Sequence, residues 1–250
     1  MSDRRVWGSV WKGMQGIEFG REPYMWRFYE LLLGDYDFRD KRVLEMGCGT
    51  GINTILMAKR GARVTFLDFS RDALDIVKKN MEREGVDGEL VLGDIFKCGL
   101  SNEFDLVHSE GVVEHFTGPE RQGVLGRHAE AAKRGGRVLI IVPQAGSAAY
   151  RLGKFMAESS RAWIHGREYP YTRSELSKRL GMAGLEPGPV VGGELLFAFG
   201  WLFSPLWLRD GTILERSIRK PADRRVFRLN YNNWAANRWG RVLGAVGSRK

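Results

Sequence analysis

The sequence predicts an α/β fold: a doubly wound, mostly parallel sheet of about seven strands, with helices on both faces and an aromatic-rich cap. Three observations carry this expectation. Between Lys41 and Val142, short apolar runs alternate with amphipathic segments, the rhythm of strands joined by crossover helices. The first run is followed by glycine at every second position, Gly47, Gly49 and Gly51, and then by a helical pattern. All eight tryptophans fall outside the stretch from Phe28 to Ala162, so the flanks differ in kind from the centre.

Arg42–Met46 reads as the first strand. Ile52, Ile55, Leu56 and Lys59 then fall at helical spacing, with Gly61 placed to stop that helix. Arg63–Asp68 is the second strand, and Ser70 caps a helix whose Leu74, Val77 and Met81 recur every three or four residues. Leu90–Leu92 and Phe104–His108 read as strands three and four. Pro119–Ala132 reads as a helix, and Arg137–Val142 as a fifth strand ended by Pro143. Beyond Pro143 the rhythm loosens. Thr172-Arg173-Ser174-Glu175 is a capping box opening a helix that Gly181 or Gly184 ends. Val190–Val191 suggests a sixth strand, and Val242–Val246 a last one interrupted by Gly244.

These elements divide the chain into an N-terminal helical cap segment (1–40), a nucleotide-binding core (41–192, with an insertion at about 144–171) and an aromatic, basic segment (193–250) that completes the cap and the sheet. The tryptophans of both flanks supply large, rigid contact area, and the flanks are expected to fold together over the open end of the sheet. The net charge of +9 is concentrated: residues 205–250 hold 11 Lys and Arg against 3 Asp and Glu. A solvated face and a docking surface for lipid headgroups or nucleic acid both explain such a tail. No run reaches the ~18 apolar residues of a membrane span, and the N-terminus lacks the apolar block of a secretory signal. Cys48 and Cys98 are too few for a disulfide framework or a zinc site. The cytoplasm is the expected compartment, with a peripheral membrane position left open. The oligomeric state is not legible.

The most informative stretch is Val43-Leu44-Glu45-Met46-Gly47-Cys48-Gly49-Thr50-Gly51. Glycines let a backbone bend sharply and approach a ligand, and the helix that follows offers free amide donors. That arrangement suits a nucleotide-like cofactor at the carboxyl ends of the strands. A dinucleotide fingerprint would need glycine where Ile52 stands, and a phosphate-binding P-loop would need Gly-Lys-Ser/Thr. Neither is present. Cys48 reads as a small filler within the turn.

This stretch resembles the first motif of the class I S-adenosylmethionine (SAM)-dependent methyltransferases, whose sheet is Rossmann-like, and further motifs follow in order over Leu31 to Val191. Gly93-Asp94-Ile95, Phe104 to Glu110 with Val112-Val113-Glu114-His115, and Gly135 to Ile140 are similar to the family's later strands. The resemblance implies SAM as cofactor and S-adenosyl-L-homocysteine (SAH) as product. It implies that Glu45, Gly47, Cys48, Gly49 and Gly51 form the turn around the cofactor. Asp68 would take the ribose hydroxyls and Phe69 would pack on the adenine, with Asp94 and Ile95 at the exocyclic amine and ring. Glu110 would meet the methionine moiety. The Glu-His ending and the long segment after strand five look most like enzymes of ubiquinone and menaquinone biosynthesis, although the Trp-rich N-terminus departs from them.

A sulfonium is an activated methyl donor, so in-line alignment of a nucleophile supplies much of the rate. A base helps when the acceptor is a hydroxyl or carbon acid. His115, just past strand four, is the candidate; starting the next helix is its competing role. His108 reads as a satisfied core histidine, and His128 and His165 show no partners. No metal-ligand cluster is visible, so none is expected. Asn/Asp-Pro-Pro-aromatic, the mark of amino-group methylation on adenine or glutamine, is replaced by Ser109-Glu110-Gly111-Val112, and no Pro-Cys pair supports pyrimidine C5 chemistry. O- or C-methylation of a small-molecule or lipid-like acceptor is therefore favoured. The alternatives are an RNA or protein methyltransferase docking through the basic tail, and a SAM-binding protein without catalysis.

Overall fold

A computed structural model describes residues 4–13, 25–161, 163–200 and 230–250. The strands are β1 (Arg42–Met46), β2 (Arg63–Asp68), β3 (Glu89–Leu92), β4 (Phe104–Glu110), β5 (Ala132–Pro143), β6 (Leu185–Pro187), β7 (Val191–Gly193) and β8 (Val242–Arg249). They form one sheet in the order β3-β2-β1-β4-β5-β8-β6, with β7 also paired to β8. The first five strands run parallel, and β8 is antiparallel to β5, β6 and β7. The chain reverses its direction of winding between β1 and β4, which opens a crevice at their carboxyl ends.

The helices are α1 (Arg4–Gly13), α2 (Trp26–Leu33), α3 (Ile52–Ala58), α4 (Arg71–Glu84), α5 (Gly118–Ala131), α6 (Ala148–Ser159), α7 (Arg173–Met182), α8 (Leu195–Gly200) and α9 (Trp234–Trp239), with a 3₁₀ turn at Val113–His115. Successive strand residues point to opposite faces. Val43, Leu106 and Leu139 pack with Ile55, Val77 and Phe28 on one side. Their neighbours Leu44, Val107 and Val138 pack with Val124, Leu125 and Leu176 on the other. Burial on both faces accounts for the nearly unbroken apolar runs of the parallel strands. Ser70 caps α4 by accepting from the Ala73 amide, and Thr172 caps α7 by accepting from the Glu175 amide.

Three readings are revised. Residues 1–40 are not all cap: Trp26, Phe28 and Tyr29 of α2 are fully buried in the core. The sixth strand is two short pieces, β6 and β7, flanking Gly188 to Val190. The glycine-interrupted last strand is a full one, reaching Arg249. Gly244 is required there, because a β-carbon would lie 2.4 Å from Leu32 Cδ1 and 2.9 Å from Phe28 Cε1. The glycine thus lets α2 press on β8. Residues 201–229 of the aromatic, basic segment lie outside the described residues. Among the described residues no helix is long and apolar enough to cross a membrane.

Gly244→Ala is expected to cost about 1–3 kcal/mol by overpacking, read as a lowered midpoint in thermal or urea unfolding.

Candidate functional site

A cavity of about 1170 Å³ opens at the carboxyl ends of β1, β2 and β4. Ligand pockets commonly span ~300–1,000 Å³, so this one has room for two small molecules. Glu45, Gly47, Cys48, Gly49, Gly51, Asp68, Phe69, Asp94, Ile95, Glu110 and His115 all line it. The residues singled out in the sequence are therefore brought to one place.

The glycine turn is built with positive φ at Gly47, Gly49 and Gly51 (70°, 52° and 68°), a region that penalises any β-carbon. The amides of Gly47 and Cys48 donate to the Leu67 carbonyl. Asp68, at the end of β2, accepts from the Gly49 amide at 3.1 Å and from the Ser70 amide at 2.9 Å. Burial raises its carboxyl, while these amides oppose the shift. Asp94 accepts from the Phe96 amide at 2.9 Å, so it forms its turn as well as lining the cavity.

At the inner end, Asn53 donates to Glu110 at 3.1 Å. Burial pushes the Glu110 carboxyl up to about 7 and that of Glu45 up to about 8. Glu45 Oε2 and Asn53 Oδ1 are buried without hydrogen-bond partners. Two acceptors lacking donors suit a ligand that carries an ammonium group, since buried polar atoms are otherwise costly.

The outer half is walled by Phe116, Pro143, Tyr150, His165 and Glu168, together with Trp7 and Trp11 of α1. Trp11 lies over the glycine turn, where a β-carbon on Gly49 would come within 2.8 Å of its ring. Trp7 stacks on Trp11 at 5.7 Å and meets His115 edge-on at 5.1 Å. The cap expected from the tryptophans thus exists at α1, whereas Trp234 and Trp239 pair with each other and are exposed. His115 Nδ1 lies 2.8 Å from the Arg167 carbonyl. A carbonyl only accepts, so Nδ1 carries the proton and Nε2 of the neutral ring keeps its lone pair. Burial lowers the imidazole's pKa, which keeps that ring neutral.

The fold also assembles groups whose spacing in sequence gives no sign of it. One ligand-type atom from each of Glu114, His115 and Glu168 lies within 4.8 Å of the others, although no metal cluster was expected. Glu168 already accepts from the Tyr150 hydroxyl at 2.5 Å, with the Lys154 ammonium 4.0 Å away. His128 is not partnerless: Nδ1 lies 2.8 Å from the Val124 carbonyl and Nε2 lies 2.9 Å from Ser109 Oγ. His165 meets Trp163 edge-on. His108 is a satisfied core histidine, between Tyr29 and Thr54.

Comparison with known proteins bears on the family and the fold. A family profile described as "Methyltransferase domain" matches residues 43–136. A ubiquinone biosynthesis O-methyltransferase of Dechloromonas aromatica (strain RCB) is 32% identical over 158 residues, covering 61% of this chain and 67% of that protein. One from Aromatoleum aromaticum is 30% identical over the same shares. Among solved structures, magnesium protoporphyrin IX methyltransferase from Synechocystis PCC 6803 with bound SAH aligns over 98% of this chain and 93% of its own, with a TM-score of 0.59 at 15% identity. The 1,6-didemethyltoxoflavin-N1-methyltransferase of Burkholderia thailandensis aligns over 98% and 88%, with a TM-score of 0.60 at 16% identity. At these identities the solved structures speak to the fold.

Gly49→Ala combines a positive φ with a clash against Trp11. It is expected to weaken SAH binding at least about tenfold, roughly the 1–3 kcal/mol cost of forcing a packed backbone, as read by calorimetry against the unchanged protein.

Proposed function

The chain belongs to the SAM-dependent methyltransferases, and from that premise we propose that it methylates a hydroxyl or carbon acid of a small, planar, largely apolar acceptor, with His115 as the base. The observation that carries this reading is one continuous cavity whose inner half holds the glycine turn and carboxylates and whose outer half holds His115.

SAM supplies an electrophilic methyl on sulfur. In this reading the turn amides and Asp68 receive the ribose end, and Phe69 and Ile95 flank the adenine above Asp94. Glu45 and Glu110 face the ammonium. The partnerless oxygens of Glu45 and Asn53 support that orientation. Phe116, Pro143 and Trp7 form an apolar wall that suits a flat acceptor and excludes water from the methyl's path. Neutral His115, fixed by the Arg167 carbonyl, offers Nε2 to take the acceptor's proton as the methyl transfers. The relatives' names concern quinone biosynthesis, which fits such an acceptor. Leu152 and Phe155 on α6 and Phe199 on α8, two helices in contact, are exposed. These support an acceptor with a lipid-like tail, met at a membrane surface.

The test is methyl transfer from labelled SAM to a panel of hydroxylated aromatics with and without isoprenoid tails. His115→Ala is expected to lower the rate about 10²–10⁴-fold while SAH binds within about twofold of the unchanged protein. Equal rates would remove His115 as the base. Because burial lowers the imidazole's pKa, the base form persists as pH falls through the ordinary histidine range. The acid limb of the rate profile is therefore expected below about 6.5.

A further inference from the structure

Arg121 is a buried cation that the transfer step does not touch. It stands on the first turns of α5, with 7% of its surface exposed. A guanidinium carries five N–H bonds in one plane, and here each meets an acceptor. Nε and Nη2 donate to the two oxygens of Glu175 on α7, at 2.8 and 3.3 Å. Nη1 donates to the Tyr169 carbonyl at 2.8 Å and to the Phe116 carbonyl at 3.4 Å. Nη2 also donates to the Pro170 carbonyl at 3.3 Å. The guanidinium carbon lies 3.6 Å from the centroid of the Tyr171 ring.

These acceptors belong to stretches that build the outer half of the cavity. Phe116 directly follows His115 in the turn after β4. Tyr169 and Pro170 end the connection from α6 to α7, whose residues 163–170 form neither helix nor strand. Arg167 and Tyr169 are exposed, so apolar burial of their side chains does little to hold this connection. Yet the connection brings the Arg167 carbonyl to His115 Nδ1 and places Glu168 in the cavity wall. Polar bonds do the holding. The Tyr169 amide donates to the Glu114 carbonyl at 2.8 Å, the Tyr171 hydroxyl to the Val113 carbonyl at 3.4 Å, and Arg121 bonds both sides at once.

We propose that Arg121 is the positioning residue that keeps His115 in its Nδ1–H form, by clamping the His115 turn to the segment that carries the Arg167 carbonyl. This rests on the reading of His115 as the base. The proton of a neutral imidazole can sit on either nitrogen, and the hydrogen bond made by one decides which keeps its lone pair. With the clamp released, the Arg167 carbonyl leaves Nδ1 and the proton is free to move to Nε2. That nitrogen then donates, and it cannot take a proton from an acceptor. Lysine cannot replace the clamp. Its three hydrogens leave from one point, whereas the carbonyls and carboxylate surround a planar fork.

The experiment uses Arg121→Lys, which keeps the charge, and Glu175→Gln, which removes the carboxylate that orients the fork. Nitrogen-15 NMR of the four histidines reads each tautomer directly, with His115→Ala assigning its signal. The unchanged protein should show His115 protonated at Nδ1 and bare at Nε2. In each variant the Nε2–H form should appear, and kcat should fall about 10- to 100-fold. SAH binding by calorimetry should stay within about twofold, because the clamp touches only the acceptor half. Thermal unfolding is followed alongside. Variants that melt lower but keep both the Nδ1–H form and kcat have lost stability alone, and they overturn the proposal. If Arg121→Lys does not fold, Glu175→Gln carries the same test with the guanidinium in place. A shifted tautomer with undiminished kcat would instead leave the clamp standing and remove His115 as the base.

Discussion

The bend of the backbone between β1 and α3 is the constraint on which the rest of the structure depends. Three residues in a left-handed conformation, Gly47, Gly49 and Gly51, turn the chain so sharply that α3 begins at the mouth of the sheet. The bend is held from outside itself, since Asp68 and Leu67 of the neighbouring strand accept its amides. A carboxylate receiving backbone donors is a strong acceptor in a buried setting, so β1 and β2 are locked at their ends as well as along their ladder. The parallel order then places Asp68, Asp94 and Glu110 around one opening, because parallel strands all end on the same side of the sheet. Site geometry is in this sense a by-product of topology.

Charge is distributed against the trend of the molecule. The chain carries +9 overall, yet carboxyls dominate the cavity, where Lys97 and Arg241 are the cationic Lys and Arg side chains of the lining. Arg241 is itself paired with Glu194. A cofactor with a permanent sulfonium charge and an ammonium group matches such an interior.

The sheet and the glycine-turn half of the cavity were legible in the sequence for a physical reason. Parallel strands buried on both faces must be apolar throughout, and a bend with positive φ must be glycine, so both leave marks at single positions. The outer half was not legible. Tyr150, His165 and Glu168 come together because the segment after β5 folds back over the opening, and nothing in their spacing foretells it. Tyr29 was hidden differently. On a short amphipathic helix it reads as one more core aromatic, and only the packing of α2 beneath the sheet brings its hydroxyl to His108. The last strand was undervalued because glycine ordinarily weakens a strand interior; here Gly244 is the contact surface for Phe28 and Leu32.

The position of β8 has a consequence for how the protein is made. This strand sits between β5 and β6 and carries α2 on its face, so α2 waits for a strand that follows it at long range in the sequence. During synthesis β5 would emerge with one edge unpaired and Phe28 without its partner surface. Such exposed edges are sites of misassembly, and closure over so long a loop is slow. That edge of β5 therefore stays open until β8 has been made, so the antiparallel side of the sheet closes later than its parallel half.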